Sequence, residues 1–416
     1  MMDQPVAVLG AGIVGICCAL SLVERGVRVR LVDRGEPGQE TSYGNAGVVS
    51  PWSIMPQSLP GMAPQIPRLL FGARRPLGVR PGFWPRMLPW GLRFLQQGNE
   101  AQMRRAAEAM SILCGPSVDL YRRHLMGTGH EHLLRDSYYV HAFRGARREK
   151  LLGLDYRIRQ EMGADLEVVG IRRLREIEPA LSPAFRAAVL IKGQARAMAP
   201  GKIATALAHK AQGLGVVFHR ATVTALRPTQ AGWEIHTDNG RHSAPRVVLA
   251  MGVWSEPLLR ALGIRVPLVA ERGYHVEFPD PGITLNNSIM DMDAKFVASS
   301  MEGGLRAAGH AEFGPAEAPP DRRRQARLFA QARVAFPDLS TASPRFWMGR
   351  RPSLPDSLPM LGEFSALPGL YASFGHSHHG LMMAPKTGEL IADMLTGVWG
   401  NRDLSAFDPG RFRSSG

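Results

Sequence analysis

PVAVLGAGIVGICCALSLVERGVRVRLVDRG, residues Pro5–Gly35, decides how the rest of the chain is read. Val6–Leu9 is a short apolar run of the kind that makes a parallel strand buried on both faces. Gly10-Ala11-Gly12-Ile13-Val14-Gly15 follows at once. Gly10 permits a tight turn, Gly12 lets the backbone approach a pyrophosphate, and Gly15 lets the next helix pack close to the strand. Helical apolar spacing runs from Ile13 to Glu24 and stops at Gly26. Val27–Val32 reads as the second strand. Asp33 closes it, eighteen residues after Gly15, where a carboxylate can accept from both ribose hydroxyls of an adenosine. A lone GxGxxG is a weak signal. With a strand before it, a helix and second strand after it and the terminal acid in register, it specifies a dinucleotide site. Asp33 repels a 2′-phosphate, and Arg34 beside it is the one residue that would welcome it.

The next stretch, ETSYGNAGVVSP at Glu40–Pro51, is small, turn-prone and nearly uncharged. No helical period appears until the mid-sixties, whereas a simple NAD domain would lead into a crossover helix here. A glycine-rich loop reaching along an extended cofactor fits better and favours FAD, a solvated surface loop being the plainer alternative.

At 416 residues the chain exceeds the usual ceiling for one hydrophobic core, so two domains are expected. Fifty basic residues against 36 acidic give a net charge of +14. The basic residues are scattered, and neither zinc-finger spacing nor an RNP-type motif is present, which argues against a nucleic-acid partner. Cys17, Cys18 and Cys114 make no disulfide framework and fit a reducing, cytoplasmic compartment. MMDQPVAVLGAG lacks a basic segment before its apolar run and does not read as a signal peptide.

Seven segments, in order, resemble the FAD-dependent amine oxidoreductases related to D-amino acid oxidase, glycine oxidase and sarcosine oxidase, most closely the bacterial D-amino acid dehydrogenase branch. They are GAGIVG with Asp33, ETSYGNAG at 40–47, RATVTAL at 220–226, VVLAMGVWS at 247–255, ERGYHVEF at 271–278, MGRRPSLPDSLPMLG at 348–362 and FGHSHHGLMMAPKTG at 374–388. The resemblance implies FAD as cofactor. Its phosphates would lie over Gly10–Gly15, with Ile13 and Val14 in the turn. Asp33 and Arg34 would sit at the ribose. Thr41, Ser42, Asn45, Ala46 and Gly47 would line the pyrophosphate and flavin edge. The Val223 backbone would hold the adenine, with Ala250 and Gly252 closing from the other side.

His376, His378 and His379 pose a separate choice. Three histidines in four positions, without HxxxH or HExxH spacing, are poor metal ligands, and no metal is expected. The alternative is a loop that enters a helix over Ala384–Leu395. The free N–H groups of Gly380, Leu381 and Met382, beside His379, would then face the negative edge of a reduced flavin. His376 is a candidate for contact with substrate or bound water; plain structural histidines are the third reading.

Oxidising an amine at Cα requires the carboxylate to be held rigidly while the Cα–H lies over the ring. A planar guanidinium suits that task. By resemblance the carboxylate anchor is Arg351, the arginine before Pro352. Tyr274 could donate to the same carboxylate, or simply pack the sheet. No general base stands out, so the pocket would select the neutral amine. The SYGNAGVVSPWSIMPQSLPGM segment and the GYH/GHSHH pair resemble members that oxidise D-proline and cis-4-hydroxy-D-proline. A glycine- or sarcosine-type oxidase, a dehydrogenase of acyclic D-amino acids, and a flavoprotein that binds membrane or RNA without amine chemistry are the alternatives.

Pro67–Gly98 mixes Phe83, Trp84 and Trp90 with Arg74, Arg75, Arg80, Arg86 and Arg93. Such a segment can lie on the inner face of an anionic membrane, which suits a quinone acceptor. Helical packing interrupted by Pro85 and Pro89 is the duller explanation, and oxygen the other acceptor. The expected architecture is α/β: a doubly wound Rossmann-type FAD domain from 1–50, 196–262 and 345–416, in which the short β-branched strands within VVFHRATVTALRP (216–228) and RVVLAMG (246–252) return to the first strand's sheet. A substrate domain from 51–195 and 263–344 would hold an antiparallel sheet including Ser137–Phe143, Val266–Phe278 and Ser288–Ser299.

Overall fold

The computed structural model describes residues 4–72, 74–145, 152–398 and 403–412. Met1–Asp3, the first residues of MMDQPVAVLGAG, lie outside the described residues. Val6–Leu9 pairs in parallel with Val29–Asp33 on one side and Val247–Leu249 on the other. These three strands are the centre of a six-stranded sheet, completed by Val217–Arg220 at one edge and by Leu370–Phe374 and Met360–Glu363 at the other. Its inner strands are buried on both faces, as their valine- and leucine-rich sequences require.

On one face lie the helices Ile13–Val23, Pro200–Gly213 and Gly380–Thr396. Gly15 in the first of these helices and Gly388 in the third let the backbones close on their neighbours. A Cβ at Gly15 would stand 1.8 Å from the Gly10 carbonyl oxygen, and one at Gly388 2.4 Å from that of Cys17. The other face is not the second helical layer that a doubly wound sheet would require, although the short helix Ser255–Ala261 contributes Leu258 and Leu259 there. It is covered by an antiparallel meander, Val223–Thr229, Gly232–Thr237 and Gly240–Ala244, through Leu226, Trp233 and Ile235. Val217–Arg220 therefore joins the first sheet as expected, whereas Val223–Thr229 departs from it.

A ten-stranded, mostly antiparallel sheet forms the second layer. Its path runs Arg345–Ser353, Val269–Phe278, Gly304–Phe313, Phe296–Met301, Ser288–Asp291, Leu134–Phe143, Ala187–Ala197 and Val48–Val49. The stretch read as one strand, Ser288–Ser299, is a hairpin. Asp291 Oδ1 accepts from the N–H groups of Asp293 and Ala294 and turns the chain. Arg345–Ser353 and Val48–Val49, assigned by segment to the FAD domain, are strands of this second sheet. Arg322–Ala335 packs on it through Leu328, Ala332 and Ala335. The basic aromatic stretch forms Ile66–Phe71, Leu77–Val79 and Trp84–Gln96. Pro85 sits in the first turn of its helix, where no N–H is needed, and does not break it. Met87 and Trp90 turn inward onto Val269 and Phe313. No helix among the described residues is long and apolar enough to cross a membrane.

Candidate active site

One cavity of about 900 Å³ lies between the two sheets. Among its walls are Gly10, Gly12, Ile13, Val14, Asp33, Arg34, Thr41, Ser42, Asn45, Ala46, Val223, Ala250, Gly252, His379, Gly380, Leu381 and Met382. Arg351, Tyr274 and His376 line the same space. The expected nucleotide segment and the expected flavin-facing loop thus meet, although more than 360 positions separate Gly12 from Gly380.

The glycine turn has the form of a phosphate cradle. Gly10 (φ 103°) would clash with the Ala250 carbonyl if it carried a Cβ, at 2.5 Å. Gly12 meets nothing nearer than Ser42 Oγ at 3.6 Å, so its face is open to the cavity. Gly12 has no side chain with which to cap the helix, and although Ser42 Oγ takes the Ile13 N–H, other N–H groups of the first turn are left for an anion. Asp33 ties the cradle to the second strand: Ala11 N–H donates to Oδ2 (2.6 Å) and Gly35 N–H to Oδ1 (2.9 Å). Each oxygen keeps a second acceptor position for a ribose. Arg34 is paired with Glu40 (2.8 Å) and lies over Trp254.

The loop at 41–47 is fastened at several points. Ser42 Oγ accepts from Ile13 N–H (3.0 Å), Thr41 Oγ1 donates to the Arg350 carbonyl (3.0 Å), and His275 Nδ1 lies 3.1 Å from the Gly44 carbonyl. Arg306, buried and paired with Glu277 (2.7 Å), donates through Nη1 to the carbonyls of Tyr43 and Asn45. Gly47 does not line the cavity. Its φ of 80° and its packing on Ala197 and Met301 are what demand glycine there.

At the far end, a single turn Ser377–His379 leads into the helix Gly380–Thr396, which starts earlier than the sequence pattern suggested. His379 is its cap residue and offers no side-chain bond. The rings of His376 and His378 part company: His376 Nε2 bonds Thr387 Oγ1 (3.0 Å) within the helix, while His378 Nδ1 meets Gln57 Nε2 (2.7 Å) across the cavity. Among the described residues no group of three or more His, Cys, Asp or Glu is placed to hold a metal. Burial pushes the His376 imidazole down to about 3, so it is neutral.

Tyr274 does not present its hydroxyl as expected. The hydroxyl donates to Glu312 Oε2 (2.6 Å) and accepts from Asp321 N–H (3.1 Å). Burial, then that carboxylate bond, pushes its pKa up to about 12. Arg350 is spent on the Ala316 carbonyl (2.6 Å). Arg351 is different. Its Nη1 donates to Glu271 Oε1 (2.7 Å) and the His310 carbonyl (3.0 Å). Among the described residues Nε and Nη2 make no hydrogen bond, and the side chain keeps 21% of its surface in a cavity wall. The guanidinium lies flat over Gly273, whose missing Cβ would stand 2.2–2.6 Å from Nη2, Cζ and Nε.

A model of the DAO family, described as FAD dependent oxidoreductase, matches residues 5–394. The chain belongs to this family. The oxidoreductase is 34% identical to the D-amino-acid oxidase of Bradyrhizobium diazoefficiens, covering 98% of each chain. It is 32% identical to the D-amino acid dehydrogenase of Dechloromonas aromatica, over 94% of this chain and 97% of the relative. Its fold is shared with glycine oxidase from Geobacillus kaustophilus, at a TM-score of 0.75, 22% identity and 99% coverage of both chains. The enzyme's cofactor is FAD, and the open Gly12 face, the uncapped helix starts and Asp33 fit it.

Sequence reasoning did not reach Gln57, Glu271, His310, Ser353 or Arg306. Glu271, Ser353 and Gln57 lay in quoted segments without being singled out, and Glu271 is the neighbour of Arg351 across an antiparallel register.

Proposed function

We propose that this oxidoreductase removes hydride from Cα of a D-amino acid, with Arg351 as the carboxylate anchor. The observation that carries the reading is the open Nε–Nη2 edge of Arg351 in the same cavity as the glycine cradle and the uncapped Gly380 helix. When bound, FAD supplies the hydride acceptor at N5. Two parallel N–H donors on one planar edge fix a carboxylate in position and orientation. The first N–H groups of Gly380–Thr396 place positive partial charge against the cavity, where negative charge would develop. Neutral His376 adds no competing cation.

The substrate's side chain is read as uncharged and cyclic, cis-4-hydroxy-D-proline or D-proline. All four carboxylates in the cavity wall are already engaged: Asp33 by backbone N–H groups, Glu40 by Arg34 and Arg350, Asp155 by Arg159, and Glu271 by Arg351, Ser353 and Gln57. None is left for a cationic side chain. The cyclic preference itself rests on the resemblance of the segments. Turnover is to be measured with D-proline, cis-4-hydroxy-D-proline, D-alanine, D-arginine, glycine and sarcosine. Activity on D-alanine or D-arginine with none on the two cyclic acids overturns it, and fastest turnover of glycine or sarcosine selects the oxidase alternative.

We infer membrane contact from a second observation. Trp84, Leu88 and Leu92 fall on one helical stripe, 39%, 61% and 64% exposed, and Phe71 is 66% exposed. Residues 41–99 contain six arginines and no acid. An apolar stripe in a basic surround suits an anionic lipid surface and a quinone acceptor. Sedimentation with anionic and with neutral liposomes at low salt tests it; equal failure to bind either ends it.

A further inference from the structure

We propose that Glu271 is the positioning residue that presents Arg351 to the substrate; the inference rests on Arg351 being the carboxylate anchor. Glu271 is 4% exposed, and both its oxygens are spoken for. Oε1 accepts from Arg351 Nη1 (2.7 Å); Oε2 accepts from Ser353 Oγ (2.7 Å) and Gln57 Nε2 (3.1 Å). A carboxylate held by two side-chain donors is a fixed acceptor, and it takes only one amino nitrogen of the guanidinium. The Nε–Nη2 edge is what remains.

The backbone repeats the selection. Between Val269–Phe278 and Gly304–Phe313 the register slips: Arg272 faces Glu312 and Tyr274 faces Gly309, so His310 and Ala311 both oppose Gly273. His310 in that bulge is left-handed, φ 61°, which a non-glycine residue rarely adopts. Its carbonyl bonds the same Nη1 (3.0 Å). Bulges re-aim groups in this way beside active sites. Ser353 and Gln57 also reach Ser377 Oγ, at 3.0 and 2.8 Å. Glu271 thereby fastens the substrate anchor and the turn before the Gly380 helix to one another.

The test uses the FAD-loaded enzyme and benzoate, a carboxylate with no oxidisable Cα–H, whose binding is followed in the visible spectrum of the cofactor. Glu271→Ala is expected to weaken benzoate about tenfold or more and to raise KM in step, the usual scale for losing a hydrogen bond to a charged group. Glu271→Gln, which keeps an acceptor oxygen, is expected to return to within about threefold of wild type. In an Arg351→Lys background, Glu271→Ala is expected to add little, since coupled residues are non-additive. Ser353→Ala, which loosens Oε2 without unpairing the charge, covers the case in which Glu271→Ala does not fold. It is expected to weaken benzoate about threefold. Full additivity of the Glu271 and Arg351 changes, or unaltered benzoate binding in both Glu271→Ala and Ser353→Ala, overturns the inference. Unaltered benzoate binding in Arg351→Lys alone overturns instead the assignment of the anchor.

Discussion

Gly273→Ala is the sharpest probe of the anchor's geometry. Gly273 is not at a positive φ, so alanine is conformationally allowed, and the substitution removes no charged or hydrogen-bonding group. The added methyl would stand 2.2 Å from Arg351 Nη2 and 2.3 Å from Cζ, where ordinary contact begins at 3.4 Å. The guanidinium must retreat by about 1 Å, and such a displacement of a positioning group lowers turnover on the order of 100-fold. Steady-state kcat/KM on the preferred D-amino acid measures this, with FAD content and the unfolding midpoint as controls. A loss of about 100-fold at unchanged FAD content is expected. Wild-type kcat/KM in a folded, fully loaded Gly273→Ala enzyme refutes the claim that Arg351 works from its place above Gly273.

Three further outcomes follow from the same structure. Gly12→Asp puts a carboxylate on the open face of the cradle, where only Ser42 Oγ is near; the protein should fold yet purify without FAD, as its spectrum will show. Arg306→Met unpairs buried Glu277 and frees the Tyr43 and Asn45 carbonyls. Urea midpoints should report a loss of about 3–5 kcal/mol. His275, His310 and His376 are held neutral by burial, their pKa values lowered to about 3, about 4 and about 3. The unfolded chain binds protons at these sites first, so stability falls with pH from about 6.5 downward, by about 1.4 kcal/mol per histidine per pH unit until each folded value is reached. Replacing His376 with Asn should flatten that slope in pH-dependent unfolding.

The nucleotide half was legible because its signals are local. Glycines, a capless helix start and a terminal acid within Pro5–Gly35 each answer to backbone geometry over a few residues. The loop at 40–47 was legible by its lack of period. Val223–Thr229 went astray because a β-branched run declares a strand but not its partner, and its meander returns on itself through Gly232 and Gly240. Tyr274 misled for a similar reason. Its hydroxyl is claimed by Glu312, thirty-eight positions away, and nothing in ERGYHVEF announces that. The pairing of Glu271 with Arg351, the bulge at His310 and the reach of Gln57 depend on register between distant strands and on one loop crossing the cavity. Such features appear only once the sheets are assembled.

The central claim is that glycine cradle, Arg351 edge and Gly380 helix serve one FAD that receives hydride from a D-amino acid. Anaerobic addition of D-proline or cis-4-hydroxy-D-proline to the purified yellow protein tests it directly. The account predicts that the visible absorption of bound FAD bleaches with the D-isomer and not with its L-counterpart. A colourless protein that takes up no FAD, or a yellow one that no D-amino acid bleaches, contradicts it.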